Sequence, residues 1–402
     1  PSGKINTTNF KELNLFSNKV ANYLKSFGVK KFDRVGILLP QSLQCLVSHI
    51  SVFKIGAISV PLFLLFGPDA LEYRISDAKI KTIITDESGA KKIRSMGNDL
   101  QKELIIFTIE GNIKKLKSIT INFSEINVSS EFIIEKTNSE DPALLLYTSG
   151  TTGPPKGVLH AHRVLLGHLP AFDFYLDLFS TYKNKIYNLL WTPADWAWIG
   201  GLLNILFSSL HHGVPVLAYR FEKFDALKAI QLMSEFKVTG SFLPPTALKM
   251  LRTAIPKTTS KKLFLKSVAS GGEPLGTELL DWGKKVLGVN INEFYGQTEC
   301  NLVLSSCSKI MKPRPGIVGP PVPGNIVSVI DQNGTKCKKG QLGTIAIKKG
   351  SPQMFLRYWN NTNATNEKYI NDWMITGDKG VIEKDNWIRF VARDDDVITS
   401  GG

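Results

Sequence analysis

Near the start of the chain, Phe10, Leu13, Phe16, Val20, Leu24 and Phe27 recur at intervals of three and four, the spacing that lines one face of an α-helix. Asn9 with Glu12 three positions later makes a capping pair, and Gly28 stops the helix. Beyond it, short apolar runs alternate with helical stretches. Residues 34–40 read as a buried strand, 43–54 as a helix, 57–66 as a second apolar run and 81–85 as a β-branched strand. Residues 101–138 are polar and carry no motif, so edge structure and loops are expected there. Strand-like runs resume at 189–191, 215–219, 238–243 and 266–269. This alternation predicts an α/β fold with mostly parallel sheets. From about residue 316 the runs are short and β-rich (327–330, 343–348, 387–391), broken by turns such as Asn333-Gly334. The expected architecture is two α/β subdomains over about residues 1–315 and a small β-rich subdomain over about 316–392.

Composition narrows the function classes. A chain of 402 residues divides into two or three folding units at ~150 residues each. Its formal charge of +14 raises nucleic-acid binding as a class, but the lysines are dispersed and no helix-turn-helix, C₂H₂ or RRM pattern accompanies them. No nucleic-acid partner is expected. The longest apolar stretch, 55–67, is shorter than the ~20 residues of a membrane-spanning helix and contains Pro61. No signal-peptide core follows Pro1-Ser2-Gly3-Lys4. Cys45, Cys300, Cys307 and Cys337 form no C-x-x-C pair and no disulfide framework, which fits a reducing cytoplasm. His160, His162, His211 and His212 lack metal-ligand spacing and read as structural.

The chemistry begins at Asp141. An apolar strand runs into Thr148-Ser149-Gly150-Thr151-Thr152-Gly153, and Pro154-Pro155-Lys156-Gly157 closes the segment. Glycines allow close backbone approach, so successive N–H groups can wrap an anion. The hydroxyls add donors and Lys156 adds a point charge. The P-loop pattern is absent, because no Ser or Thr follows the lysine. The bland alternative is a polar hairpin turn.

The segment resembles the phosphate loop of the adenylate-forming superfamily, which includes acyl-CoA synthetases, peptide-synthetase adenylation domains and beetle luciferases. Other segments match that family in order. Ser270-Gly271-Gly272-Glu273-Pro274-Leu275 is similar to its adenine-side loop, and Glu293-Phe294-Tyr295-Gly296-Gln297-Thr298-Glu299 to its Y-G-Q-T-E motif. Thr376-Gly377-Asp378 resembles its ribose-binding aspartate. Val391-Ala392-Arg393-Asp394-Asp395-Asp396 resembles its hinge, with Ala392 where glycine is usual. The matches span residues 141 to 402; the front third carries little family-specific sequence.

The resemblance implies an AMP-forming acid–thiol ligase using ATP, Mg²⁺ and CoA. Thr148 to Lys156 would hold the β- and γ-phosphates, Thr298 would contact the α-phosphate region and Glu299 would bind magnesium. Lys156, Thr298 and Glu299 are thus the implied catalytic residues. Gly272, Glu273, Pro274 and residues 293–298 would surround the nucleotide, and Asp378 with Arg393 would fix the nucleoside. Trp198, Ile199, Gly200 and Gly201, with Gly271 and Gly296, would line the acyl pocket. In acetyl-CoA synthetases a tryptophan precedes Q-T-E; Gly296 stands there in this chain, which implies a medium-chain or aromatic acid. Asp395 matches the hinge and Gly402 lies where CoA would reach. The family carries a small C-terminal domain past this hinge, so residues 1–392 read as the large adenylation domain and 393–402 as the hinge, with both ends trimmed and turnover by residues 1–402 expected to be poor. Two alternatives stay open: loading of a carrier-protein phosphopantetheine, and a nucleotide- or polyanion-binding protein without catalysis.

Overall fold

The first helix forms where its capping pair places it. In α1 (Phe10–Ser26) the Asn9 side chain accepts from the Glu12 N–H and the Glu12 carboxylate accepts from the Asn9 N–H, each at 3.0 Å. Past its end Gly28 adopts φ +86°, a left-handed conformation that costs glycine little. The buried stripe differs from the expected one. Leu13, Ser17, Val20, Ala21 and Leu24 face inward, whereas Phe10 and Phe16 are exposed. The reason lies in the next helix, α2 (Leu43–Lys54). Its buried Lys54 sends Nζ to Asn14, Ser17 and Asn18, which holds Ser17 and Asn18 of α1 toward the interior.

The computed structural model describes residues 5–109, 120–122, 126–148, 153–181, 188–255 and 262–394. In it β1 (Arg34–Leu38), β2 (Ile58–Pro61), β3 (Thr82–Thr85), β4 (Ile105–Thr108), β5 (Thr120–Asn122) and β6 (Pro142–Tyr147) run parallel, and β7 (Gly157–Ala161) returns antiparallel to β6. Strand alternation sends Leu144 and Leu146 of β6 toward α1 and α2, and Leu145 and Tyr147 into the opposite layer with Leu71 and Ile75. The polar stretch after residue 101 holds β4 and the edge strand β5, in line with the expected edge structure.

In a second sheet β8 (Leu190–Trp191), β9 (Gly240–Phe242), β10 (Ser267–Gly271) and β11 (Ile291–Gln297) run parallel, and β12 (Asn301–Ser305) is antiparallel to β11. The run at 215–219 makes no strand. Its backbone joins this sheet by an isolated bridge between Leu190 and Val216, and the bond pattern stops after Leu217 N–H reaches the Leu190 carbonyl.

The β-rich unit contains β13 (Val327–Ile330), β14 (Leu342–Lys348), β16 (Tyr369–Ile370), β17 (Trp373–Ile382) and β18 (Ile388–Arg393), all antiparallel. Its boundary near 316 is not a clean cut. β15 (Arg357–Tyr358) leaves the unit and pairs with β7, so the first sheet reads β15-β7-β6-β2-β1-β3-β4-β5. Two further bonds, Leu356 N–H to Leu159 O and Trp359 N–H to Gly157 O, fasten the crossing at 2.7 Å each. No described helix is long and apolar enough to cross a membrane.

Burial leaves titratable groups that make stability depend on pH. Desolvation lowers His49 and His168 to about 3 and His160 to about 4. Desolvation also raises the carboxyl of Glu293 to about 7. Each histidine binds its proton only on unfolding, so its contribution is complete above pH 6.5 and is lost as pH falls. Glu293 acts oppositely: its contribution is complete below pH 4.5 and is lost as pH rises to about 7. Three protons outweigh one, so denaturant midpoints should fall as pH drops from 6.5 to 4.5. Glu293→Gln keeps the acceptor for Leu275 N–H (3.1 Å) and should steepen that fall while raising stability above pH 7. Urea melts of both proteins from pH 4 to 8 test this; parallel curves would refute the assignment to Glu293.

Candidate active site

β6 and β7 form a hairpin, so the hydroxyl- and glycine-rich segment has the topology of a hairpin connection, and the described parts of it border a cavity of about 850 Å³. Thr148, Gly153 and Lys156 line that cavity; Ser149, Gly150, Thr151 and Thr152 lie outside the described residues. The loop base is closed by Thr148 N–H to the Lys156 carbonyl at 3.0 Å. Lys156 Nζ stands 5.3 Å over the Tyr358 ring, and the Tyr358 hydroxyl donates to Glu299 Oε1 at 2.5 Å. Burial and the adjacent Glu299 carboxylate push the Tyr358 phenol up, so it remains a donor at neutral pH. Sequence reasoning missed Tyr358, because the β15 crossing alone brings it to the loop.

The turn after β11 supplies the next residues. Thr298 and the buried Glu299 line the cavity, and His160 Nε2 lies 2.8 Å from the Thr298 carbonyl. The carbonyl must accept, so Nε2 carries the proton. With its pKa lowered by burial, this imidazole is neutral and serves to position Thr298. Tyr295 and Gln297, two apart on β11, both reach Asp378 Oδ2, at 2.5 and 2.7 Å. Gln297 also donates to the Thr376 carbonyl at 2.9 Å. Asp378 is buried, and burial raises its carboxyl while the Tyr295 hydroxyl and the nearby Arg393 oppose the rise. Arg393 pairs in register with Asp378 and lines the cavity together with Gln297, Thr376 and Lys368. Lys368 was not anticipated; its Nζ bonds the Gln297 amide oxygen and the Thr376 carbonyl.

The far end of the cavity is aromatic. Trp198, Ile199, Gly200, Gly271 and Phe294 line it with Phe242. Trp198 is backed by Phe63 and Phe66 at centroid distances of 5.6 and 5.9 Å. Phe294 packs on Phe242 and Tyr175 at 5.1 and 5.3 Å, so it walls this end and lies away from the nucleotide side. Trp196, by contrast, is ordinary core.

Several expected residues stand apart from the cavity surface, for visible reasons. A Cβ at Gly201 would meet the Asp195 and Ala194 carbonyl oxygens at 2.4 and 2.5 Å, so this glycine permits a backbone contact and opens no room for a ligand. Glu293 is turned inward to hold Leu275 N–H, and Tyr295 and Asp378 lie behind Gln297, bonded to each other. Gly272 lines the cavity with φ +100°, but Glu273 and Pro274 are exposed and do not. Asp395 and Gly402 lie outside the described residues.

Gly296 lines the cavity for a different reason from the one expected. Its missing side chain would point at the neighbouring strand, where a Cβ would fall 1.7 Å from the Asn301 carbonyl oxygen, at a register shift between β11 and β12. Room in the cavity is therefore set by how closely these strands approach and not by a deleted side chain. Gly296→Ala should already destabilise the protein by ~1–3 kcal/mol. A melt that matches the parent protein would show that the strands part without cost.

The residues 2–359 match the AMP-binding enzyme family. Among curated relatives, the mitochondrial acyl-coenzyme A synthetase ACSM3 of Rattus norvegicus is 31% identical over 413 aligned positions, covering 100% of this chain and 68% of its own. The acetyl-coenzyme A synthetase of Bacillus subtilis is also 31% identical, covering 98% and 68%. The crystal structure of the anthranilate CoA ligase AuaEII with anthranoyl-AMP superposes with a TM-score of 0.89 at 26% identity, covering 98% and 74%.

Proposed function

The chain belongs to the AMP-binding enzyme family, and from that premise we propose that it is an acyl-CoA synthetase that activates a medium-chain or aromatic carboxylic acid. One observation carries the reading. Lys156, Thr298, Glu299 and Arg393 border the same cavity as Trp198, Gly200, Phe242 and Phe294, so polyphosphate chemistry and an apolar tail meet in one space. The relatives' names support the ligase class and span acetyl, acyl and anthranoyl substrates.

In the first step a carboxylate oxygen bonds to the α-phosphorus of ATP, the bond to the β-phosphate bridging oxygen breaks, and pyrophosphate leaves with the electron pair. In the second the CoA sulfur bonds to the acyl carbon and AMP departs, the thiol proton passing to solvent. Positioning and charge neutralisation are the protein's tasks. Lys156 offsets phosphate charge, the Thr298 hydroxyl reaches the α-phosphate, and Arg393 meets the nucleoside. Gln297 stands between the cavity and the Asp378 carboxylate, so a ribose hydroxyl reaches Asp378 only when the Gln297 side chain turns aside. The donor set also fits magnesium. Among the described residues no group of three acidic, Cys or His side chains gathers, whereas Glu299 presents one carboxylate to the cavity, the arrangement of an ion held mainly by phosphate oxygens and water. That ion supplies charge neutralisation on the phosphates.

On the same reading residues 1–392 are the large adenylation domain, 393–402 include the hinge with Asp395, and CoA reaches the site near Gly402. Four free cysteines, three of them buried, favour a reducing cytoplasm. The test supplies ATP, Mg²⁺ and acids from acetate to dodecanoate plus benzoate, with and without CoA, and follows AMP, acyl-adenylate and acyl-CoA by mass spectrometry. Acyl-CoA peaking at medium length or with benzoate is the expected result. Adenylate that leaves CoA untouched would instead favour transfer to a carrier protein. No AMP with any acid would end the enzymatic reading.

A further inference from the structure

Two asparagines that line the cavity, one beside the aromatic end and one opposite Gln297, carry polar atoms with no partner among the described residues. Asn204 lines the cavity, is 3% exposed, and its buried Oδ1 has no hydrogen-bond partner among the described residues. It lies in a π-helical stretch, Leu202–Phe207, a geometry that recurs at functional sites. Its own carbonyl accepts the Tyr175 hydroxyl, and Tyr175 packs on Phe294, which fixes Asn204 at this end. Asn301 also lines the cavity and is 3% exposed, and its buried Nδ2 has no hydrogen-bond partner among the described residues.

A buried acceptor and a buried donor without protein partners cost folding free energy, and lining the cavity puts both where a bound molecule can pair them. We propose that Asn204 and Asn301 read a hydroxyl on the tail of the acid, which makes the substrate a hydroxylated medium-chain or aromatic carboxylic acid. This rests on the acyl-CoA synthetase reading above. A hydroxyl can serve either asparagine, donating to Asn204 Oδ1 or accepting from Asn301 Nδ2. A second carboxylate on the tail is disfavoured. The neighbouring lining residues, Trp198, Ile199, Gly200, Phe242, Phe294 and Leu302, offer it no counter-charge.

The test separates this inference from the reading beneath it by measuring binding. Non-reactive acyl-sulfamoyl adenosines with octanoyl and benzoyl tails are titrated calorimetrically against the protein, each plain and with a hydroxyl at successive positions of the distal half. At least one hydroxylated compound should bind about tenfold or more tightly than its plain parent. In Asn204→Leu and Asn301→Gly the plain compounds should gain on the hydroxylated ones. Asn301→Gly suits the local φ of +52°, so one variant stays folded even if the other does not, and melts report which. Plain tails binding as well as every hydroxylated one overturns the inference while leaving the ligase reading intact. No binding by any of the compounds overturns both.

Discussion

Glu299→Gln is expected to lower AMP formation by ~10²–10³-fold while leaving the fold intact. The glutamine still accepts the Tyr358 hydroxyl that Glu299 Oε1 takes at 2.5 Å, so the contact between β15 and the turn after β11 survives. What disappears is the anionic oxygen facing the phosphates beside Lys156. In the transition state charge spreads over the phosphate oxygens, and the Glu299 carboxylate is placed to hold a hard cation there. The measurement is pyrophosphate release as a function of Mg²⁺ with a saturating acid. The variant should require more Mg²⁺ and still fall short at saturation. Equal rates at all Mg²⁺ concentrations would remove Glu299 from the metal site.

Asp378→Ala should damage nucleotide binding and stability together. Asp378 Oδ2 receives both the Tyr295 hydroxyl and the Gln297 amide, and the residue is buried. Truncation removes the acceptor of the Tyr295 hydroxyl, at about 1–3 kcal/mol, while Gln297 keeps its bond to the Thr376 carbonyl. Nucleotide affinity should fall by at least ~10-fold, because one ribose hydrogen bond to a charged acceptor is lost. Asp378→Asn keeps an acceptor and should sit between parent and alanine in the melt. Calorimetry with ATP and with AMP, alongside urea unfolding, checks both effects. An alanine variant that binds AMP as well as the parent would exclude Asp378 from the ribose site.

The motifs that carry chemistry were legible in order because each joins a strand end to a loop, where few residue types satisfy both backbone and ligand. Thr148, Lys156, Gln297, Thr298, Glu299 and Arg393 all reached the cavity from such positions. The alternation of runs also announced the two parallel-rich sheets and the antiparallel unit after them. Glycines were harder. Gly201 and Gly296 look alike as small residues in a pocket, but each is there because another backbone passes close by.

The residues that sequence did not reveal share one property: their roles depend on partners far along the chain. Tyr358 reaches Glu299 because β15 leaves its own unit for the first sheet, and His160 meets the Thr298 carbonyl across 138 positions. Lys54 holds Ser17 and Asn18 of α1 toward the interior through bonds to three polar side chains. Local spacing and composition determined the elements, their order and the phosphate-facing loops, since those follow from short-range backbone preference and hydrophobic period. Tertiary structure alone decided which side chains share the cavity and which polar atoms stay unpaired within it, because burial and hydrogen-bond satisfaction are properties of surfaces that meet only after folding.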